Sequence, residues 1–268
     1  CRIISIYHDI EIDSDSADIL FLDYNITCRS VFIDFFNTIF KEEQNEKQIT
    51  QFIQHFTHTN QFLNSINEDN VELLQSIISQ SNINLDDNLT LLDFQFYHEI
   101  KDKKPINYSA FKGSLKCFKF LLLNTNNINY ENLLECAIAG SNYEIIHIVE
   151  EKINYENLKE NMDLLNVAIL YIRNEMIDYI LDNYGVKINS ENYIKCIYSS
   201  NYEALLKLVE IDESNCINEF GKKGYTPIGI AACEGYLDFF IYFLKNKKVN
   251  YKKLKSYGNK NVLDMAKK

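Results

Sequence analysis

A chain of 268 residues, 46% apolar and 24% charged, has enough material for one large domain or two small ones with a buried core. The net charge of −11 and pI near 5.0 argue against a nucleic-acid groove, which needs clustered Lys and Arg, and no apolar run approaches the roughly 18–20 residues of a membrane span. Seven cysteines without paired C-x-x-C spacing fit neither a disulfide framework nor a zinc cage; reduced thiols and a cytoplasmic, intracellular location are expected, and the start at Cys1 reads as a fragment or a trimmed end.

Residues 1–64 read as a separate N-terminal region cut from a larger domain. Residues 1–12 alternate apolar and polar as a short strand would, and the polar cluster Asp13 to Asp18 reads as a solvated loop, since the glycine and terminal glutamate of a calcium loop are missing. Two helices follow from the spacing of Val31, Phe32, Phe35, Phe36, Ile39 and Phe40 and of Ile49, Phe52, Ile53, Phe56, Phe62 and Leu63. His55 and His58 share a face of the second, but with neither an H-E-x-x-H glutamate nor a third ligand they read as ordinary polar positions rather than a metal site.

From residue 65 to 268 the chain repeats. Ile128-Asn129-Tyr130-Glu131-Asn132-Leu133 returns letter for letter at Ile153 to Leu158, loosely at Ile188 and Val249, and in its first two letters at Ile83 and Ile217. Each copy follows an apolar amphipathic stretch, so it marks the exit from a helix, with the asparagine bonding its own backbone in a turn. Six exits imply about six units.

A second series carries the inner helices. Ala110 and Gly113, Ala137 and Gly140, and Ala232 and Gly235 each stand three apart, with Ala168/Tyr171 and Cys196/Ser199 as degenerate copies. Small residues at these anchors let helices approach closely, and the glycine lets the chain turn. Anchor spacings are 27, 31, 28 and 36, and the two prolines, Pro105 and Pro227, each lie five residues before an anchor alanine. Outer helices are predicted at Leu73 to Ile78, Phe118 to Leu122, Ile145 to Val149, Ile177 to Leu181, Leu205 to Val209 and Leu237 to Leu244. The 85–104 insertion carries an apolar run able to form an extra helix or packed lid, and Asn261 to Ala266 opens like one more repeat.

The best-preserved copy is Gly224-Tyr225-Thr226-Pro227-Ile228-Gly229-Ile230-Ala231-Ala232-Cys233-Glu234-Gly235. Thr226 can cap a helix and Pro227 suits its first position. With its Thr-Pro opening, paired alanines and turn glycine, this stretch resembles the T-P-L-H-x-A signature of an ankyrin repeat. The shortened units resemble a divergent ankyrin family expanded in some protists, most closely at Tyr108 to Leu121 and Ala137 to His147. The resemblance implies an all-α, ankyrin-type helical solenoid of about six degenerate repeats after an N-terminal helical segment. At the first proline copy, Lys104 replaces the capping threonine.

The same resemblance implies a non-catalytic, monomeric module that binds a protein partner and carries no cofactor. Its binding positions would be the residues turned outward between each anchor and its glycine: Phe111 and Lys112, Ile138 and Ala139, Ile169 and Leu170, Ile197 and Tyr198, Cys233 and Glu234. Lys103 and Tyr225 would stand at hairpin fingers. Cys136, Cys196 and Cys233 read as substitutes for alanine rather than nucleophiles, and no P-loop, dinucleotide fingerprint, nucleophile elbow or kinase set occurs. The alternative is a targeting or regulatory arm of an enzyme whose catalytic domain lies elsewhere.

Overall fold

The computed structural model describes residues 61–81, 83–89, 102–153 and 163–250. The strand and loop expected within 1–18, the helices expected before residue 61, His55 and His58, the 90–101 core of the insertion and the repeat-like opening at 261–266 lie outside the described residues. Contacts divide the chain into two compact units, Cys1–Asn132 and Leu133–Lys268.

Among the described residues all regular structure is helical. Residues 61–67 are helical, followed by α1 (Val71–Gln80), α2 (Pro105–Lys112), α3 (Leu115–Asn124), α4 (Tyr130–Gly140) and α5 (Tyr143–Glu150). Then come α6 (Leu164–Leu170), α7 (Met176–Tyr184), α8 (Ser190–Tyr198), α9 (Tyr202–Ile211), a 3-10 turn (Cys216–Asn218), α10 (Pro227–Glu234) and α11 (Leu237–Lys245). The helical segment at residues 61–67 straddles the 64/65 boundary expected for the N-terminal region.

The helices come in pairs joined by one repeated turn. Each turn holds a single residue in the left-handed region: Asp69 (φ 50°), Gly113 (70°), Ser141 (57°), Ile172 (58°), Ser200 (53°) and Gly235 (79°). After Asp69, Gly113, Ile172, Ser200 and Gly235 the next amide donates back five residues into the inner helix, as in Ser114 to Ser109, Arg173 to Ala168, Asn201 to Cys196 and Tyr236 to Ala231. This is the Schellman arrangement that satisfies the free carbonyls of a helix end. Glycine is suited to that conformation, and the chain uses it at only two of the six turns.

The turn residue fixes the register of the repeats and corrects the sequence alignment. Four residues before it stand Ser65, Ser109, Ala137, Ala168, Cys196 and Ala231, every one of them small and buried. Ala137, Ala168 and Cys196 are therefore anchors as expected, but Ala110 and Ala232 are one position too late. The error came from Gly140, which ends α4 as an ordinary helical residue while Ser141 takes the turn. Buried Ser65 and Ser109 substitute for alanine because each hydroxyl donates to the carbonyl three residues earlier, at 2.6 and 2.7 Å.

Four of the outer helices bury the fourth, fifth and eighth residues after the turn. These are Cys117, Phe118 and Leu121 in α3; Ile145, Ile146 and Val149 in α5; Met176, Ile177 and Ile180 in α7; Ala204, Leu205 and Leu208 in α9. In the second unit α6 packs on α8 and α8 on α10, while α7, α9 and α11 each pack on the inner helix of their own pair. Side chains at the turn also link neighbouring pairs. Arg173 Nε donates to Ala139 O at 2.7 Å, and Asn201 Nδ2 to Ile169 O at 3.0 Å; in the first unit Ser114 Oγ donates to Ile66 O at 2.5 Å.

The exit asparagines do more than turn the chain. Where the connection is short, the same residue caps the next inner helix: Asn129 Oδ1 accepts from Asn132 N at 3.0 Å, and Asn189 forms a reciprocal capping box with Asn192. The Thr-Pro copy caps through its own threonine, whose Oγ1 accepts from Gly229 N at 3.3 Å. Lys104, in the threonine's place before α2, makes no such bond, and its ammonium reaches Asn127 O instead.

The turn at Ile172 carries a testable cost. A β-branched residue at positive φ is strained by roughly 1–2 kcal/mol, and this side chain is 56% exposed, so it recovers little by burial. Ile172→Gly is expected to stabilise the protein by about 1 kcal/mol net of glycine's greater unfolded freedom, a rise of roughly 2–4 °C in melting temperature. Ile172→Val, equally strained, should leave the melting temperature unchanged.

Candidate functional site

Inner helix α8 defines the site because its buried and open positions separate cleanly. Asn192, Tyr193, Ile194, Cys196 and Ile197 are buried, while Glu191, Lys195 and Tyr198, spaced by four and three residues, are partly open and line one stripe. On α6, Val167 and Leu170 continue the pattern after Asp163, and on α10 Cys233 and Glu234 do so. The row thus crosses three inner helices of the second unit.

At its centre, the Tyr198 hydroxyl donates to Glu234 Oε1 at 2.9 Å, joining α8 to α10. Its ring meets Tyr236 edge-on at 6.2 Å, and the ammonium of Lys223 stands 5.7 Å over its face. Partial burial, together with the negative charge of Glu234 and Glu191, pushes the Tyr198 hydroxyl up to about 12. The aromatic contacts continue outward from Tyr236 to Phe239 at 6.4 Å, and Phe239 stacks on Tyr202 at 4.0 Å.

Lys223 is placed by a tight loop. Gly221 N donates to Tyr225 O and Gly224 N to Gly221 O, both at 2.8 Å, with Gly224 at φ 74°. The loop is seated on α8 through the Glu191 carboxylate, which accepts from Lys222 N. A Cβ at Gly221 would lie 2.5 Å from Ile194 Cδ1 and 2.6 Å from Glu191 Oε1, so a side chain there would have to push aside the ends of these two side chains. The loop covers the stretch Lys222 to Tyr225, where a hairpin finger was expected, and it holds turns but no strand.

The one-residue register error accounts for the misplacement of Ile138, Ile169 and Ile197, whereas Phe111 and Ala139 stand two residues before their turns, as Tyr198 does, and are buried all the same. Ile138, Ala139, Ile169 and Ile197 are fully buried and Phe111 is 6% exposed, so these five are core, not outward-facing. Lys112, Leu170, Tyr198, Tyr225 and Cys233 are partly open and Glu234 is exposed, as expected for a surface. Lys103, also partly open, lies in the first unit, where its amide donates to Asn88 Oδ1. Sequence reasoning missed Glu191, Lys195 and Tyr236. The first two were legible as i, i+4 partners of a stripe ending at Tyr198, but only in the corrected register.

The buried thiols fit packing. Cys136 and Cys196 are fully buried; burial raises the Cys196 thiol, and burial beside Asp69 pushes Cys117 up to about 12, away from the thiolate a nucleophile requires. A second polar cluster lies on outer helices α5 and α7, where Glu150 accepts from Tyr179 OH at 2.7 Å, from Tyr184 OH and, at 2.8 Å, lies against His147 Nδ1. Its carboxylate is occupied by these neighbours and braces the two helices. No helix among the described residues is long and apolar enough to cross a membrane.

A protein-family profile described as a domain of unknown function, DUF3447, matches residues 123–208, from the end of α3 into α9. A search among curated proteins found no match.

Proposed function

We propose that this chain is an ankyrin-type repeat module that binds a protein partner, without catalysis, through the open row of its inner helices and the finger beside it. The observation that carries the reading is the row itself. On α6, α8 and α10 the first helix of each pair leaves open the same one or two positions before the turn, including Leu170, Tyr198 and Glu234, while every anchor beneath is buried. Aromatic and apolar side chains held on rigid helices, flanked by charge, suit recognition of a protein surface. Helix pairs with a common Schellman turn, small buried anchors and a Thr-Pro cap support the repeat type, and DUF3447 is known in ankyrin-repeat proteins.

Affinity capture from the source cells tests the reading. Tyr198→Ala and Glu234→Lys are expected to lose the captured partner with melting temperatures within about 2 °C of the parent, as for surface substitutions. Ile241→Ser on outer helix α11, where the side chain is 38% exposed, should leave capture intact. The reverse pattern would place the binding surface on the outer helices and overturn the proposal.

A further inference from the structure

Resting on that reading, we infer that the cluster formed by Tyr198, Tyr236, Glu191 and Glu234 is a docking site for an arginine side chain of the protein partner. One carboxylate touches the aromatic ring's hydroxyl, Glu234 at 2.9 Å, and a second, Glu191, stands seven residues before Tyr198 on the same stripe of α8, where it accepts from Lys222 N and adds negative charge to this face. The ring's negative face already attracts a cation. Lys223 sits over it at 5.7 Å, reaching there from an exposed position on the finger. Among the described residues the contact shown for the Lys223 ammonium is this ring.

The cluster therefore works as a cation seat whose resident is a tethered lysine. A guanidinium fits it better than an ammonium, because its planar fork can bond Glu234 through two N–H groups while stacking flat on Tyr198. Binding exchanges one cation for another: the partner's arginine takes the ring and Lys223 swings out with the finger. The net charge of −11 favours the approach of a basic partner from a distance.

The test uses the whole chain and a short soluble peptide alternating glycine and arginine, with glycine–lysine and glycine–glutamate peptides as comparisons, titrated at physiological salt. The arginine peptide is expected to bind more tightly than the lysine peptide, and the glutamate peptide not at all. Tyr198→Leu keeps every charge and should weaken the arginine peptide about tenfold, the loss of one desolvated cation–π contact. Tyr198→Phe, which keeps the ring, should retain the preference for arginine over lysine. Lys223→Gln should tighten binding several-fold in the parent but not in the Tyr198→Leu background.

Equal binding of arginine and lysine peptides, unchanged by Tyr198→Leu, would show bulk attraction to an acidic chain and overturn the inference. No binding of the arginine peptide, with partner capture still lost in Tyr198→Ala, would also overturn it while leaving the interaction module standing. Capture indifferent to Tyr198→Ala would remove the module reading itself.

Discussion

Ile197→Ala is expected to destabilise the protein by about 3 kcal/mol, while Tyr198→Ala, one residue along, costs no more than about 1 kcal/mol. Both residues lie in the last turn of α8, and both were expected from the sequence to face outward. The structure separates them: Ile197 is fully buried, and Tyr198 is partly open with its hydroxyl on Glu234. Truncating a buried isoleucine loses the transfer energy of its methyl and methylene groups and leaves a cavity, because the packed helices around it collapse only in part. Tyr198 loses one surface hydrogen bond and an edge-on ring contact. Thermal or urea melts of the two variants decide the matter, and similar losses in both would mean that the register derived from the turns is wrong.

Asn201→Ala is expected to cost about 2–3 kcal/mol, a large effect for a small polar residue. The side chain is 3% exposed and has three partners. Its Oδ1 accepts from Ala204 N at 3.0 Å and caps α9; its Nδ2 donates to Ile169 O at 3.0 Å and to Asn174 Oδ1 at 2.8 Å. The cap is worth about 1 kcal/mol and the two bonds to the preceding pair about as much each, before relaxation and the second partner of the Ile169 carbonyl, Ile172 N–H, reduce the sum. Asn201→Ser separates the parts, since serine can cap the helix but is too short to reach Ile169. It should recover about 1 kcal/mol of the loss in urea titrations. Full recovery by serine would mean that the link between pairs contributes nothing.

Much of the fold was legible because the signals are local. Thr226 and Pro227 announce a helix start through hydroxyl and ring chemistry that requires no neighbours, and α10 begins at Pro227 with the Thr226 cap made. The outer helices were legible from spacing alone, because an amphipathic stripe records on its own face which side will be covered. The repeated Ile-Asn pair was legible as a boundary, though its second role as helix cap was not. That role depends on connection length, which decides whether the asparagine reaches the start of the next inner helix, as Asn189 does at α8, or ends a separate 3-10 turn as Asn218 does, donating to Lys248 O at 2.7 Å.

The candidate site was legible only in part, and the reason lies in one glycine. Gly140 looks like the turn residue of its repeat, yet the backbone there stays helical and Ser141 adopts φ 57°. A serine or isoleucine in the left-handed region is paid for by the packing of the pair, a nonlocal term that no residue type announces. Shifting the register by one moves each helical side chain by about 100° around its axis, enough to exchange a core position for an open one. Ile138, Ile169 and Ile197 went into the core by that rotation, while Tyr198 and Glu234 remained on the surface.

By itself the sequence determined, for the described residues, the helical class, the paired organisation and the small residues on which inner helices pack, since each follows from backbone chemistry or periodicity within a few residues. Only the tertiary structure decided which residue of each turn is left-handed, which face of α8 stays open, and that Tyr198, Glu234, Tyr236 and Lys223 meet. Those outcomes depend on contacts between residues as far apart in sequence as Tyr198 and Glu234, and competition among packed helices, not local preference, fixes them.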